Sequence, residues 1–275
     1  MKGYPDSDGK ISFDITAKTI TVDWGDDTIE EMVLNGKKTN VKHTYSNNNY
    51  QTIKINTEKM TSLVISGSEI RIGNCPDLEE LDAKAQTDFN IKEAKSLTKM
   101  RLYYYAEAEI KLNNFTSLRD LRFYSDYGTK LNVSGCTSLS SLDFLDSEFL
   151  TELNVSGCTS LSKLHCGGNI LTAINISKCS KLNYIDCRSN KLTQNGLNTL
   201  FEDLPFFPIK PGIIYIGTGF RTDKGWDYSQ RNPGYDTCDK SIATDRGWIV
   251  GEEVEGEGGY ASFRINFSNN GATTY

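Results

Sequence analysis

Apolar residues recur along this chain at a nearly fixed spacing. Leucine opens six phrases, at Leu78, Leu97, Leu118, Leu139, Leu161 and Leu182, separated by 19, 21, 21, 22 and 21 residues. Three residues after each comes a second apolar position (Leu81, Met100, Leu121, Leu142, Leu164, Ile185). Two further on comes a third (Ala83, Leu102, Phe123, Phe144, Cys166, Cys187). The interval of two is that of a strand with one face buried. One such strand cannot bury its inner face alone. The repeat therefore predicts coils stacked about 4.8 Å apart, forming a parallel sheet over a continuous core. Asn169 and Asn190, at the turn after their strands, carry amides able to bond backbone groups left unpaired at the bend. A second column, Leu131-Asn-Val133-Ser, Leu153-Asn-Val155-Ser and Ile174-Asn-Ile176-Ser, also reads as a strand, so each coil holds two short strands and little helix. A third column runs through Cys75, Ala94, Phe115, Cys136, Cys158 and Cys179.

Beyond the repeats, Gly196 to Leu204 predicts a short amphipathic helix stopped near Pro205. Ile213-Ile-Tyr-Ile216 reads as a strand. Gly251 to Gly259 reads as an acidic linker, and Ala261-Ser-Phe263-Arg-Ile265-Asn-Phe267 alternates like a strand. That last segment either returns to an open sheet edge or forms a disordered tail.

The two clearest copies, Leu161-x-x-Leu164-x-Cys166-x-x-Asn169-x-Leu171 and Leu182-x-x-Ile185-x-Cys187-x-x-Asn190-x-Leu192, carry the leucine-rich-repeat phrase. Residues 60–204 resemble secreted leucine-rich-repeat proteins of the Bacteroidetes type. Asn232-Pro233-Gly234, Cys238-Asp239, Ser241-Ile242-Ala243 and Gly247-Trp248-Ile249-Val250 are similar to that family's closing phrase, with a longer insertion from Gly219 to Tyr235. A second resemblance, to PKD-type immunoglobulin-like repeats, rests on Val22-Asp23-Trp24-Gly25-Asp26-Asp27, His43-Thr44-Tyr45 and the run from Tyr50 through Ile53 and Ile55, with Asp27 where those repeats carry Gly. About 58 residues is short for a seven-strand sandwich. The expectation is a small β unit covering the open edge of the first coil, because an uncovered edge invites aggregation.

The fold class so reached is an α/β leucine-rich-repeat solenoid, right-handed, mostly β with little helix, carrying a small N-terminal PKD/Ig-like capping unit. Its expected divisions are 1–58 for the cap, 59–250 for the solenoid with an end piece from about 197, and 251–275 for the linker and terminal strand. The resemblance implies a bacterial protein of the envelope or the secretions, with an interaction or adhesion role.

Composition narrows this picture. The chain has 275 residues, room for about two domains. A net charge of −6 argues against a broad nucleic-acid footprint. With Gly counted and Tyr left out, apolar content is about 40%, against about 45–50% in typical domains, which suits a thin or elongated fold. No run approaches the length of a membrane span. Met1-Lys2-Gly3-Tyr4-Pro5-Asp6 lacks an export signal's apolar segment, which leaves a cytoplasmic chain or one that begins after a removed leader.

Most candidate chemistry has a structural reading. The repeat-column cysteines read as small inward residues, since stacked Cβ atoms lie farther apart than the roughly 3.8 Å of a disulfide. With two His and no C-x-x-C, no zinc or other metal site is expected. No cofactor is expected either: Gly217-Thr-Gly219 lacks the third glycine of a nucleotide loop, having Thr222 there. Asp6-Ser-Asp8-Gly9-Lys10 departs from a calcium loop at its fifth position and reads as a flexible acidic terminus. Asp23, Asp26 and Asp27 suit a tight turn, and His43 a packing and hydrogen-bonding role. His165 points outward with no nucleophile near it in sequence. Asn132, Asn154 and Asn175 open Asn-x-Ser sequons because the repeat recurs.

The outward strip of the predicted sheet carries the functional expectation. One outward row reads Asp82, Arg101, Arg122, Asp143, His165, Asp186, and the next reads Lys84, Tyr103, Tyr124, Leu145, Gly167, Arg188. Tyr104, Tyr105 and Tyr127 lie near the strand ends. Stacked arginines repel unless aromatic faces or an acidic partner offset them. Tyr and Arg are enriched where proteins bind. The expected binding residues are Arg101, Tyr103, Tyr104, Arg122, Tyr124 and Asp143, with no catalytic residues. The expected partner is a protein or polysaccharide, met at the cell surface or outside the cell by a monomeric, non-enzymatic chain with no membrane span. The bland reading is that the tyrosines cover the sheet and pair across strands. Two alternatives stand beside the binding role. One is a structural spacer in an envelope assembly; the other is a glycan hydrolase using Asp143 and Asp186, which needs carboxylates about 5–9 Å apart.

Overall fold

The computed structural model describes residues 2–3, 5–6, 8–46, 49, 51–127, 129–144, 149–217, 220–222, 225–227 and 231–251, with backbone alone at 2–3, 220–222 and 225–227. The chain is mostly β with little helix, and its greater part is a β-solenoid of about six turns.

The N-terminal unit holds β1 (Lys2–Gly3), β2 (Lys10–Thr16), β3 (Thr19–Asp23), β4 (Ile29–Val33), β5 (Lys38–Thr44), β6 (Gln51–Thr52) and β7 (Lys54–Glu58). Alternation places Ile11, Phe13 and Ile15 of β2 and Ile20 and Val22 of β3 in one core with Trp24, Val41 and Ile53. At the turn after β3, Gly25 has φ +82, and a Cβ there would lie 2.6 Å from the Thr52 carbonyl oxygen. Asp27 itself adopts φ +67, the left-handed conformation that the aspartate side chain tolerates. Asp6 sits in a local turn ahead of β2, where its Oδ1 accepts from the backbone amides of Asp8 (2.9 Å) and Lys10 (2.8 Å).

β2 pairs antiparallel with β5 on one side and with β8 (Ser62–Ile72) on the other, Asp14 opposite Val64. The N-terminal unit is thus hydrogen-bonded along the edge of the first coil, which blunts that edge. The coils continue through β9 (Glu80–Ile91), β10 (Lys99–Tyr104), β11 (Glu109–Lys111), β12 (Asp120–Ser125), β13 (Thr129–Asn132), β14 (Ser141–Asp143), β15 (Leu150–Asn154), β16 (Lys163–His165), β17 (Ala173–Asn175) and β18 (Tyr184–Asp186). One parallel sheet runs β8-β9-β10-β12-β14-β16-β18, and a second runs β11-β13-β15-β17. Leu81 stands beside Met100 and Met100 beside Leu121 in the first. Ile110, Leu131, Leu153 and Ile174 line up in the second. The first two coils depart from two short strands each. β8 and β9 are continuous over 11 and 12 residues, with a register shift at Gly67/Glu69 where later coils turn a corner.

At the corners the asparagines form a ladder. Asn169 Oδ1 accepts from the Leu150 amide and Asn190 Oδ1 from the Leu171 amide, while each Nδ2 donates to carbonyls of the bend. The seven cysteines are free thiols. Cys136, Cys158 and Cys179 donate to the carbonyls of Leu112, Val133 and Val155, and burial pushes them up to about 11, 12 and 12 respectively.

The end piece holds α1 (Gln194–Glu202), β19 (Gly212–Tyr215), β20 (Phe220–Thr222), β21 (Gly225–Asp227), α2 (Lys240–Asp245) and β22 (Trp248–Gly251). Thr193 caps α1 by accepting from the Gly196 amide, and Leu197, Leu200 and Phe201 bury its inner face. Asp239 caps α2. β19 and β22 extend the first sheet in parallel. The inserted stretch contains the antiparallel pair β20-β21. The proposed acidic linker beyond Gly251 and terminal strand, with Leu145 and Gly219, lie outside the described residues.

Candidate functional site

Strand alternation and register together build the outward face. Register puts Asp82, Arg101, Arg122 and Asp143 in one row across β9, β10, β12 and β14. Lys84, Tyr103 and Tyr124 form the row beside it. Glu80, Lys99 and Asp120 form the row on the other side.

The rows are locally neutralised. Arg101 Nη1 lies 2.9 Å from Asp82 Oδ2, and Lys99 Nζ lies 2.7 Å from Glu80 Oε1. Donation to the Glu80 carboxylate raises the Lys99 ammonium above its usual range. Repulsion between Arg101 and Arg122 is therefore offset by a carboxylate on the preceding coil. Arg122 is exposed and makes no ion pair among the described residues. Tyr103 and Tyr124 stack across the strands, with centroids 4.6 Å apart and planes at 10°. Lys84 reaches past Tyr103 to lie 5.3 Å from the ring centroid of Tyr105.

Two depressions lie on this face. One, of about 290 Å³, runs along Val64, Asp82, Lys99, Arg101 and Asp120. The other, of about 460 Å³, lies where the bulky Arg122 and Tyr124 give way to the short Ser141 and Asp143.

Three sequence expectations fail here. Tyr104 is not on the face. It continues the inward alternation of Met100 and Leu102, is 2% exposed, and donates its hydroxyl to the Thr87 carbonyl at 3.4 Å. Burial raises its phenol. Asp186 and Arg188 are not outward charges either, being 7% and 4% exposed. Arg188 clasps Asp186 through Nε–Oδ1 at 2.9 Å and Nη2–Oδ2 at 2.7 Å, and its guanidinium lies 5.0 Å from the Tyr215 ring centroid. Sequence spacing could not place Tyr215, which arrives on β19 after the helix. Third, Asp143 and Asp186 do share a row, with His165 between them, but Asp186 is committed to Arg188.

An aromatic group at the far end of the sheet escaped the sequence reading. His165 packs against Tyr184 at 4.7 Å, and Tyr184 against Tyr215 at 5.8 Å. Burial pushes the Tyr184 phenol up to about 12. The alternation marks Tyr184 as outward, so only Tyr215 lacked a signal.

In the N-terminal unit, His43 stacks on Trp24 at 4.8 Å, and its Nε2 lies 2.8 Å from Asp26 Oδ2. Burial works to raise the Asp26 carboxyl, and hydrogen bonds from His43 and Thr28 outweigh it, leaving that carboxyl below its usual range. Among the described residues no group of three or more His, Cys, Asp or Glu is arranged to hold a metal ion. No helix among them is long and apolar enough to cross a membrane. No protein-family model matches the chain, and no curated protein matches it.

Proposed function

We propose that this chain is a non-enzymatic interaction protein of the cell surface or the secretions, a leucine-rich-repeat solenoid with a PKD-like cap. It binds a protein or a glycan through the outward face of β10 and β12. The observation that carries the reading is the joining of a stacked tyrosine pair, Tyr103 and Tyr124, to an exposed arginine, Arg122, that lacks an ion-pair partner among the described residues. Rigid aromatic area beside an arginine is the composition of binding hot spots. Arg101 and Asp143 flank it in the same row.

The test is a binding screen of the purified chain against glycan and extracellular-matrix protein arrays, beside a Tyr103→Ala, Tyr124→Ala variant. Binding that disappears in the variant supports the reading; binding that survives it moves the site elsewhere.

The structural spacer is the second reading, favoured by the tyrosine rings satisfying one another across the strands. A chain that binds nothing on either array supports it. The hydrolase reading loses a carboxylate, because Asp186 is buried against Arg188.

A further inference from the structure

We infer that the partner is a polypeptide, and that it delivers a carboxylate to Arg122 in the depression between β12 and β14. This rests on the binding face proposed above and specifies what the face takes. The depression is about 460 Å³, and Arg119, Asp120, Arg122, Tyr124, Ser141 and Asp143 line it.

The first observation is an imbalance of pairing. Arg101 is held by Asp82 and Lys99 by Glu80, each on the preceding coil. Arg122 has Arg101, another cation, as its neighbour on the preceding coil, and it makes no ion pair among the described residues. It is the arginine of its row left to meet a carboxylate from outside, and its planar fork is matched to that group.

The second observation concerns charge at the depression itself. Among its lining residues Arg119 and Arg122 oppose Asp120 and Asp143, which leaves no net charge. A polyuronate, with a carboxylate on every sugar, would bring more negative charge than these two arginines balance, within about one Debye length. A peptide can place one carboxylate at Arg122 and neutral groups around it.

The third observation is the tyrosine pair. Tyr103 and Tyr124 spend their facing ring surfaces on each other at 4.6 Å. What that pair offers between the rings is edge and hydroxyl, which suit peptide N–H and C=O groups. The peptide lies across the face and is read by side chains. It does not add a strand there, because β10 and β12 each already have ladder partners on both sides.

The test uses the full chain on an array of short synthetic peptides in two matched series, one carrying Glu and one carrying Gln at the same position, alongside polygalacturonate. Retention is expected to depend on Glu. In solution titration, Arg122→Gln is expected to weaken the best Glu peptide about tenfold or more, the worth of a charge-assisted hydrogen bond, and to leave its Gln counterpart unchanged. Arg122→Glu is expected to turn the preference toward Lys peptides. Arg122 is exposed, so the unfolding midpoint of these variants is expected to match the wild type, which separates lost binding from lost fold. Peptide binding that ignores both the Glu/Gln exchange and Arg122→Gln, yet vanishes in Tyr103→Ala, Tyr124→Ala, overturns the carboxylate assignment and leaves the binding face standing. Polygalacturonate binding lost in Arg122→Gln overturns the polypeptide. Binding indifferent to every variant, or no binding to any probe, overturns the inference and the face together.

Discussion

Asn190 and Asn232 donate to the same backbone oxygen. Both Nδ2 groups point at the Cys187 carbonyl, at 3.1 and 2.9 Å, although the second residue belongs to the end piece. Asn169 and Asn190 share the Cys166 carbonyl in the same way. Asn232 Oδ1 also accepts from the Leu192 amide, as Asn190 does from Leu171 and Asn169 from Leu150. The end piece thus supplies a third rung of the ladder that the repeats begin. Each side chain closes a bend whose backbone groups would otherwise be buried without partners.

Removing a rung leaves several buried polar groups unsatisfied. Asn190→Ala and Asn232→Ala are each expected to cost about 2–4 kcal/mol, since an unpaired buried donor or acceptor costs roughly 1–3. Urea denaturation followed by circular dichroism measures it. A loss under about 0.5 kcal/mol would contradict the ladder's structural weight.

The Asp186–Arg188 pair makes a second expectation. Arg188→Met strands a buried carboxylate and is expected to destabilise the chain by about 3–5 kcal/mol. The double variant Asp186→Leu, Arg188→Met is expected to recover most of that loss, because it removes both charges from a buried site. A double variant no better than the single one would mean that the pair's hydrogen bonds, not its charges, hold the coil.

Thiol reactivity checks the cysteine columns. Cys136, Cys158, Cys166, Cys179 and Cys187 are buried, whereas Cys75 and Cys238 are partly exposed. Burial raises all of these thiols. Titration of the native chain with a disulfide reagent at neutral pH is expected to modify Cys75 and Cys238, slowly, and to reach the buried five only after denaturant is added. Fast native reaction of any of the buried five would contradict the packing.

The His43–Asp26 contact gives the N-terminal unit an acid limb. The Asp26 carboxyl ionises at lower pH in the folded chain than its ordinary 3.8, so its stabilising contribution is complete above that value. It is lost as pH falls through the folded value. Asp26→Asn is expected to flatten acid unfolding of this unit, read by Trp24 fluorescence, and to cost under about 1 kcal/mol at neutral pH because the pair is partly exposed. An unchanged acid limb in Asp26→Asn would assign it to other carboxylates.

Much of this architecture is legible in the chain because its signals are local. The columns Leu81 to Ile185 and Leu131 to Ile174 announce their strands through period two, and the amphipathic run from Gly196 to Leu204 announces α1. The candidate face was legible in Arg101, Tyr103, Arg122 and Tyr124 for the same reason. Tyr104 was misplaced by treating it as a strand end, when alternation simply continues one residue further. Asp186 and Arg188 read as outward from their phase, and their burial depends on Tyr215, which lies beyond the helix. Asn232 as a third rung depends on how the end piece folds back. β8 and β9 run uncut, with a register shift at Gly67/Glu69, where Asn169 and Asn190 close a corner in later coils.

The scaffold repeats but its outward lettering does not, and that sets a phase. A bound chain displaced by one coil toward the N-terminus would find Arg101, already engaged, where Arg122 had stood. Displaced one coil the other way, it would find an acid, Asp143, where the arginine had stood. If the proposed face binds as inferred, the solenoid would act as a ruler bearing one mark, holding a partner at one position along it.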